Sequence, residues 1–285
     1  MGKLGISIYP NHSTVEADKR YIQMAHKYGF TRIFTCLLSV DGDKEKILID
    51  FKETIQFAKQ LGYEVICDIH PRIFDELGAS YDDLSFFHDL GVDGIRLDLG
   101  FTGNEESQMT FNPYGLSIEI NMSNATKYLD NILSYQPNRS KLIGCHNFYP
   151  HRYSGLSYDF FRTCSEKFKK NGLRTAAFVS SHDATFGPWP IMEGLPTLEM
   201  HRNLPIDVQA KHLFATGLID DVIVGNAYAS ETELKQLREI NREKLTFNVK
   251  VYEETTELEW TIIFDEPHFF RGDVSDYMIR STQSR

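Results

Sequence analysis

The chain lacks the marks of several protein classes. Its four cysteines form no CxxC pair, which argues against a zinc finger or a disulfide framework and predicts buried free thiols. No apolar run approaches the roughly 18 residues of a membrane span. The N-terminus has no basic segment followed by a long apolar one, so we expect no signal peptide and no membrane partner. The cysteines are Cys36, Cys67, Cys145 and Cys164.

The chain also lacks positive charge. It has 30 Lys and Arg against 40 Asp and Glu, which gives a net charge of −10. Because nucleic-acid affinity depends on clustered Lys and Arg, we expect no nucleic-acid partner. Hydrophobic residues at 41% and charged residues at 25% are typical of a globular protein. The composition therefore predicts a soluble, cytoplasmic protein, with 285 residues sufficient for one large domain or two ordinary ones.

The junctions between helices and strands repeat one pattern. A helical stretch ends, a glycine follows, and an apolar strand-like run begins, as in HKYGFTRIFTCLL. Glycine is favoured past a helix C-terminus because it adopts the left-handed conformation without strain. Two helix starts, Ser13–Glu16 and Ser230–Glu233, also have the spacing of a capping box. The pattern predicts serial βα units, and its glycines are Gly29, Gly62, Gly91, Gly172 and Gly217.

Eight strands are predicted between these helices. Alternating strands and helices indicate a parallel sheet, and eight units in roughly 240 residues indicate a (βα)8 TIM barrel of the α/β class. An open doubly wound sheet is the alternative, which the absence of a GxGxxG turn after the first strand disfavours. The predicted strands are about Leu4–Tyr9, Arg32–Leu38, Glu64–Ile69, Gly94–Leu99, Ser117–Asn121, Leu142–Asn147, Thr175–Ser180 and Val222–Gly225.

The pattern changes after residue 243. We assign residues 1–243 to the barrel and residues 244–285 to the start of a small β-rich domain. The segments TFNVKVY and LEWTIIF, between Leu245 and Phe264, alternate in the manner of antiparallel strands with no helix between them. Because some 40 residues provide little independent core, we expect this domain to be incomplete in the sequence.

Charged side chains lie where a barrel of this kind carries its site, at the C-terminal ends of the strands. Asp68, Asp98 and Glu119 lie near the ends of the third, fourth and fifth strands. Because side chains alternate along a strand, Arg96 shares a face with Asp98, and Asn121 with Glu119. Three carboxylates around one arginine would have different pKa values, so that one could act as an acid and another as a base. The alternative is a structural ion-pair network inside the barrel.

Polar and aromatic residues follow the sixth and seventh strands. Asn147 could hold a sugar hydroxyl or acetamido group, or it could only cap the local backbone. Tyr149 could stack on a sugar ring. The stretch from Ser181 to Asn203 is long for a compact barrel, which favours a lid or substrate wall over surface decoration. A loop of this length can bring a reserve catalytic carboxylate over the substrate. Its candidate residues are Trp189, Glu199, His201 and Arg202.

A phosphate site is predicted in the loops after strands seven and eight. Barrels tend to bind phosphate there, where helix N-termini present free N–H groups. The pattern points to Ser181, His182 and Ser230, with Arg202 as the cationic partner. Ser230 also has the simpler role of a helix N-cap.

Metal chemistry is the competing prediction. His70, His146 and His182 lie at the ends of strands three, six and seven, near Asp68 and Asp98, and could form a metal site with nitrogen and oxygen ligands. No HExxH motif is present, and scattered histidines more often form hydrogen bonds than bind metal. We therefore expect no metal and no other cofactor.

Several motifs resemble the bacterial 6-phospho-N-acetylmuramidases. They are GISIYP (Gly5–Pro10), FTCLL (Phe34–Leu38), GIRLDLGF (Gly94–Phe101), HNFYP (His146–Pro150), SGLS (Ser154–Ser157) and GPWPIMEGLPTLEMHR (Gly187–Arg202). The resemblance covers nearly the whole barrel, and its most specific part is the GLPTLEMHR stretch. It implies that the β-rich segment belongs to a cyclophilin-like domain.

The resemblance also implies a function. A family member would be a cytoplasmic glycosidase of cell-wall recycling that releases N-acetylmuramic acid 6-phosphate from its β-1,4 linkage to N-acetylglucosamine. Glycoside hydrolysis uses two carboxyl groups, unless the acetamido group of the sugar serves as the nucleophile. The expected partner is thus a small phosphorylated disaccharide, and a homodimer is left open. The alternatives are a metal-dependent sugar-phosphate isomerase, epimerase or aldolase, and a non-enzymatic adhesin.

Overall fold

The computed structural model describes residues 2–37, 44–69, 74 and 76–282. The chain divides into two compact units, Met1–Leu245 and Thr246–Arg285. The strands of the first unit are β1 Leu4–Ile8, β2 Arg32–Leu37, β3 Glu64–Ile69, β4 Gly94–Leu97, β5 Ser117–Asn121, β6 Leu142–Cys145, β7 Arg174–Val179 and β8 Asp221–Val224. Its described helices are α1 Val15–Lys27, α2 Lys44–Gln60, α3 Ser85–Leu90, α4 Asn104–Met109, α5 Tyr128–Ser134, α6 Tyr158–Lys170, α7 Ile206–Ala215 and α8 Glu231–Arg238.

The eight strands form a closed parallel barrel in sequence order. Each strand pairs with the next in parallel, and β1 pairs with β8 to close the barrel. The predicted (βα)8 fold is therefore confirmed. No helix in the described part of the chain is long and apolar enough to cross a membrane.

Local sequence signals account for several of the element boundaries. The five junction glycines all have positive φ values, between 67° and 94°, as predicted for the ends of helices. Ser230 caps α8 in a capping box with Glu233. At α1 the cap is Thr14, whereas Ser13 donates its hydroxyl to Asp18. The prediction of Ser13 as the cap was therefore wrong by one residue.

The barrel has two apolar regions. The outward faces of the strands pack against the helices and form the larger core. A separate cluster fills the barrel interior, and Phe34, Phe178 and Ile223 are among its fully buried members. All four cysteines are free and buried, as predicted.

A charged layer lies at the N-terminal end of the barrel. Arg32, Glu64, Arg174 and Asp221 are the first residues of β2, β3, β7 and β8. Arg32 pairs with Asp221 at 2.6 Å, and Arg174 forms two hydrogen bonds with Glu64, at 2.9 and 2.7 Å. Arg32 also pairs with Glu119 from the middle of β5. Charge inside this end of the barrel is therefore compensated.

The second unit differs from the sequence prediction. It contains helix α9, Glu257–Phe264, followed by an antiparallel pair of strands, β9 Phe270–Ser275 and β10 Met278–Ser281. The strands expected over TFNVKVY and LEWTIIF are thus both wrong: residues 246–252 form no regular element, and LEWTIIF lies in α9. Thr256 accepts a hydrogen bond from Glu259 N in a capping box, which favours a helix start over the alternating pattern.

Candidate active site

The C-terminal mouth of the barrel carries a polar cluster around Arg96 of β4. The Arg96 side chain is 3% exposed, and its Nη1 donates a hydrogen bond to Asp68 Oδ1 at 2.7 Å. Nη2 donates to the side-chain oxygen of Asn147, two residues beyond β6. Nη1 also lies 3.5 Å from Oδ1 of Asp98, the residue after β4. The structure thus brings together four of the predicted site residues.

The two aspartates of this cluster have different environments. The Asp68 side chain is 9% exposed and the Asp98 side chain 43%. Burial raises the pKa of Asp68, and the charge of Asp98 adds to the effect, although Arg96 opposes it. Two neighbouring carboxyl groups with different burial are an arrangement from which separate acid and base roles can arise.

Neutral groups surround the buried side of Asp68. Cys36 Sγ lies 3.9 Å from Asp68 Oδ2. Tyr9, also buried, donates its hydroxyl to the carbonyl oxygen of Gly225. Burial raises the pKa of Tyr9 well above its usual value, so the phenol stays neutral. Both residues are buried near Asp68, and neither is among the predicted site residues.

His146 helps to position Asn147 through Ser123 and has no ring nitrogen left for a ligand. Its Nδ1 lies 3.0 Å from Ser123 Oγ and its Nε2 2.9 Å from Ser165 Oγ. Burial, assisted by the charge of Arg96, lowers the pKa of His146 to about 3, so the ring is neutral. Ser123 Oγ in turn accepts a hydrogen bond from Asn147 N at 2.8 Å. No spacing in the sequence reveals the two serines, because they lie on different elements.

Glu119 belongs to the charged layer and does not join the cluster around Arg96. Its side chain is fully buried and pairs with Arg32, which also contacts Asp221. The structural alternative, an ion-pair network inside the barrel, therefore describes Glu119. Strand alternation correctly places this side chain inside the barrel, but the partner at the start of β2 draws it toward the N-terminal end.

Two predicted aromatic residues lie in the loops that follow β6 and β7. Tyr149 is half-buried, and its backbone N–H donates to the carbonyl of Pro196 at 3.1 Å. Trp189 is 43% exposed, with its ring centroid 5.5 Å from that of Phe148. Phe148 packs in turn on Phe178 in the barrel interior. The Trp189 ring, exposed on one side and packed on Phe148 on the other, suits stacking against a sugar.

Two other predicted substrate contacts have structural roles. Asn121 Oδ1 accepts a hydrogen bond from Ser123 N at 2.8 Å, which forms a local turn after β5. His201 is fully buried, with Nε2 2.7 Å from His212 Nδ1. Burial, with a smaller effect of His212, lowers the pKa of His201 to about 3. His201 therefore cannot contribute to the substrate wall that the sequence predicts.

The predicted phosphate site at the N-terminus of α8 is filled by a carboxylate of the chain itself. Glu233 Oε2 accepts from Ser181 Oγ at 2.6 Å and from Ser230 N at 3.1 Å, and Oε1 accepts from His182 N at 2.9 Å. These are the donors that a phosphate would need. Ser181 and Ser230 thus have structural contacts, whereas the side chain of His182 is exposed.

Arg202 and Glu199 bind each other. Arg202 donates from Nε and Nη2 to the two Glu199 oxygens, at 2.8 and 2.7 Å. Hydrogen bonds from Arg202, and then from the backbone N–H groups of Tyr153 and Gly155, lower the pKa of Glu199 to about 2. The expected roles of Glu199 as a reserve catalytic carboxylate and of Arg202 as the phosphate ligand do not fit this pairing.

His146 and His182, the described histidines of the predicted metal site, belong to no metal-binding cluster of described residues. Within residues 2–37, 44–69, 74 and 76–282, no group of three or more His, Cys, Asp or Glu is arranged to hold a metal ion. His70 lies outside the described residues. His146 uses both ring nitrogens on serines, and His182 Nε2 lies 3.3 Å from the carbonyl of Arg202.

The closed (βα)8 barrel makes the chain a TIM-barrel protein. Its polar, carboxylate-bearing mouth lies at the C-terminal face, where barrels of this kind carry their sites. The chain belongs to the 6-phospho-N-acetylmuramidase family. The N-terminal part of the family matches residues 4–239, and the C-terminal part matches residues 245–285. The resemblance seen in the sequence motifs is therefore confirmed.

Several solved structures are similar to the chain. An uncharacterised Bacillus cereus protein is 57% identical, with a TM-score of 0.88 over 98% of this chain and 77% of that protein. A conserved Enterococcus faecalis protein of unknown function is 28% identical, with a TM-score of 0.71 over 81% of this chain and 63% of that protein. The tryptophan synthase alpha chain of Legionella pneumophila, 14% identical with a TM-score of 0.53 over 84% of this chain and 90% of that one, shares the fold alone. No curated protein matches the chain.

Proposed function

We propose that the protein is a cytoplasmic glycosidase that hydrolyses the bond between N-acetylmuramic acid 6-phosphate and N-acetylglucosamine in cell-wall recycling. The family of the chain supports the reaction and the substrate. The observation that carries the proposal is the contact of Asp68 and Asp98 with one guanidinium nitrogen of Arg96 at the barrel mouth. This cluster supplies the two carboxyl groups that glycoside hydrolysis requires.

The environments of the two aspartates suggest their roles. Burial raises the pKa of Asp68 and so favours its protonated form, and we assign Asp68 the role of the general acid that protonates the leaving oxygen. Asp98 is more exposed and lies on the other side of Arg96 Nη1. It would act as the base or nucleophile, or orient the acetamido group if that group attacks the anomeric carbon.

The surrounding residues suit a sugar substrate. Asn147 receives a hydrogen bond from Arg96 on its side-chain oxygen, which directs its NH2 group to serve as the donor to a hydroxyl or acetamido oxygen. Trp189 and Tyr149 offer ring surfaces at the mouth. Of the predicted phosphate ligands, His182 is the one whose side chain is exposed. We keep it as the candidate for contact with the 6-phosphate.

An assay with and without chelator tests the proposed reaction. We expect the protein to release N-acetylmuramic acid 6-phosphate from the phosphorylated disaccharide in the presence of EDTA, and to cleave the unphosphorylated disaccharide with a lower kcat/KM. Mass spectrometry of the products provides the measurement. Activity that disappears with EDTA would favour a metal-dependent sugar-phosphate enzyme. If neither disaccharide is cleaved under any condition, the proposed function is wrong.

A further inference from the structure

The pair Glu199–Arg202 links segments that are distant in the sequence. The two oxygens of Glu199 accept two hydrogen bonds from Arg202, and each also accepts a backbone N–H, from Tyr153 or from Gly155, at 2.8 Å. Tyr153 and Gly155 lie in the loop between β6 and α6. Arg202 Nη1 donates to the carbonyl of Tyr149 in the same loop at 3.0 Å.

The same guanidinium holds the loop that follows β7. Arg202 Nη1 also donates to the carbonyl of Glu193, at 2.9 Å, and lies 3.3 Å from the carbonyl oxygen of Gly194. Glu199 begins a short 3-10 turn, Glu199–His201, and Arg202 is the residue that follows this turn. One ion pair therefore fixes two loops at the mouth, from which Tyr149 and Trp189 extend.

The local geometry leaves little freedom around this pair. The Arg202 side chain is 4% exposed, so water does not compete for its donors. A Cβ atom on Gly155 would lie 2.7 Å from Glu199 N, so only glycine allows the β6 loop to approach this closely. A two-pronged arginine–carboxylate pair is also specific in geometry, since lysine cannot donate in the same fork.

We propose that Glu199 and Arg202 form a positioning pair that holds the β6 and β7 loops as a preformed substrate wall beside Asp68 and Asp98. This inference rests on the proposed function. Neither residue touches the reacting atoms. Asn147, which contacts Arg96, is connected to the same wall because its carbonyl accepts a hydrogen bond from Thr197 Oγ1 at 2.9 Å. Loss of the pair would displace the wall and with it the sugar.

The charged layer at the other end of the barrel provides a matched control. Arg174 and Glu64 form the same kind of two-pronged pair, with bonds of 2.9 and 2.7 Å. The control pair lies at the N-terminal end, where barrel residues serve stability and not the site. Replacement of either arginine with lysine removes one pair of parallel hydrogen bonds and keeps the positive charge. Any effect that comes only from the loss of stability should therefore appear in both variants.

The first test compares the kinetics of the Arg202→Lys and Arg174→Lys proteins at a temperature where circular dichroism shows both folded. We expect Arg202→Lys to lower kcat/KM about 10-fold or more, with a rise in KM, because small displacements of a substrate-binding wall are costly. Arg174→Lys should leave kcat/KM within about twofold of the parent. Glu199→Gln is the second variant and should behave like Arg202→Lys.

The second test does not depend on activity. The protein has two tryptophans, so Trp260→Phe leaves Trp189 as the single reporter on the β7 loop. We expect Arg202→Lys to increase acrylamide quenching of Trp189, and Arg174→Lys to leave it unchanged. Unchanged quenching in the Arg202→Lys protein would overturn the proposal, as would increased quenching with unaltered kcat/KM. If the parent cleaves no disaccharide, the proposed function fails, while the quenching still decides whether the pair holds the loop.

Discussion

Replacement of Asp98 with asparagine should lower kcat by a factor of about 10² or more, the usual scale of a catalytic carboxylate. The substitution removes a negative charge and a proton site while it nearly preserves the shape of the side chain. The Asp98 side chain is 43% exposed at the mouth, and its contact with Arg96 is long, at 3.5 Å. We therefore expect the fold to survive, as circular dichroism and thermal unfolding would show.

Asp130 provides the control for this variant. Its side chain is 42% exposed, against 43% for Asp98, and pairs with Lys167 at 3.0 Å on the outside of the barrel. Asp130→Asn should leave kcat unchanged. If the Asp98→Asn protein is folded and turns over at a near-normal rate, Asp98 is only a structural partner of Arg96.

Replacement of Asp68 with asparagine should have a comparable effect that depends on the leaving group. As the proposed general acid, Asp68 protonates the departing sugar oxygen, and its loss should lower kcat about 10²- to 10⁴-fold with the disaccharide. An aryl glycoside with an acidic phenol needs little protonation, so its hydrolysis should fall much less. A comparison of both substrates with the parent enzyme measures this difference. An equal loss on both substrates would contradict the role of acid.

The pH profile provides a second view of Asp68. A general acid must be protonated, so activity should fall as the pH rises through the raised pKa of Asp68. The charge of Asp98 helps to raise this pKa. In the residual activity of the Asp98→Asn protein, the alkaline limb should therefore move to lower pH. A limb that does not move would indicate that another group controls it.

Much of the barrel could be predicted from local signals. Each junction glycine marks a backbone position with positive φ, and such positions are specified by the residue itself. The prediction over LEWTIIF is wrong because Thr256 and Glu259 form a capping box, which determines the local structure more strongly than the alternating pattern does. Short apolar segments are ambiguous between helix and strand, and capping residues decide between them.

The central part of the site was also predictable. Asp68, Arg96 and Asp98 lie at the ends of consecutive strands, so the barrel topology and the alternation of side chains bring them together. Alternation predicts the face of the strand on which a side chain lies. It does not predict at which level of the barrel a long side chain forms its ion pair. The sequence therefore predicts Glu119 at the mouth, whereas its ion pair with Arg32 keeps it in the charged layer.

The loop residues could be predicted least. The spacing Glu199-x-x-Arg202 and the capping box of Ser230 and Glu233 were both visible in the sequence, and each predicts a local partner for a residue assigned to phosphate. A helix N-terminus that already has its own carboxylate cap is a poor phosphate site. The contacts of Arg202 with Tyr149 and Glu193 depend on the folded loops and have no sequence signal.

The most direct test of the account is a crystal structure of the Asp98→Asn protein with the phosphorylated disaccharide. We predict that the sugar lies at the barrel mouth, with its glycosidic oxygen within hydrogen-bonding distance of Asp68, about 2.6–3.2 Å, and with residue 98 facing the anomeric carbon or the acetamido group. A disaccharide bound away from Asp68, Arg96 and residue 98 would contradict the central claim that this cluster performs the reaction.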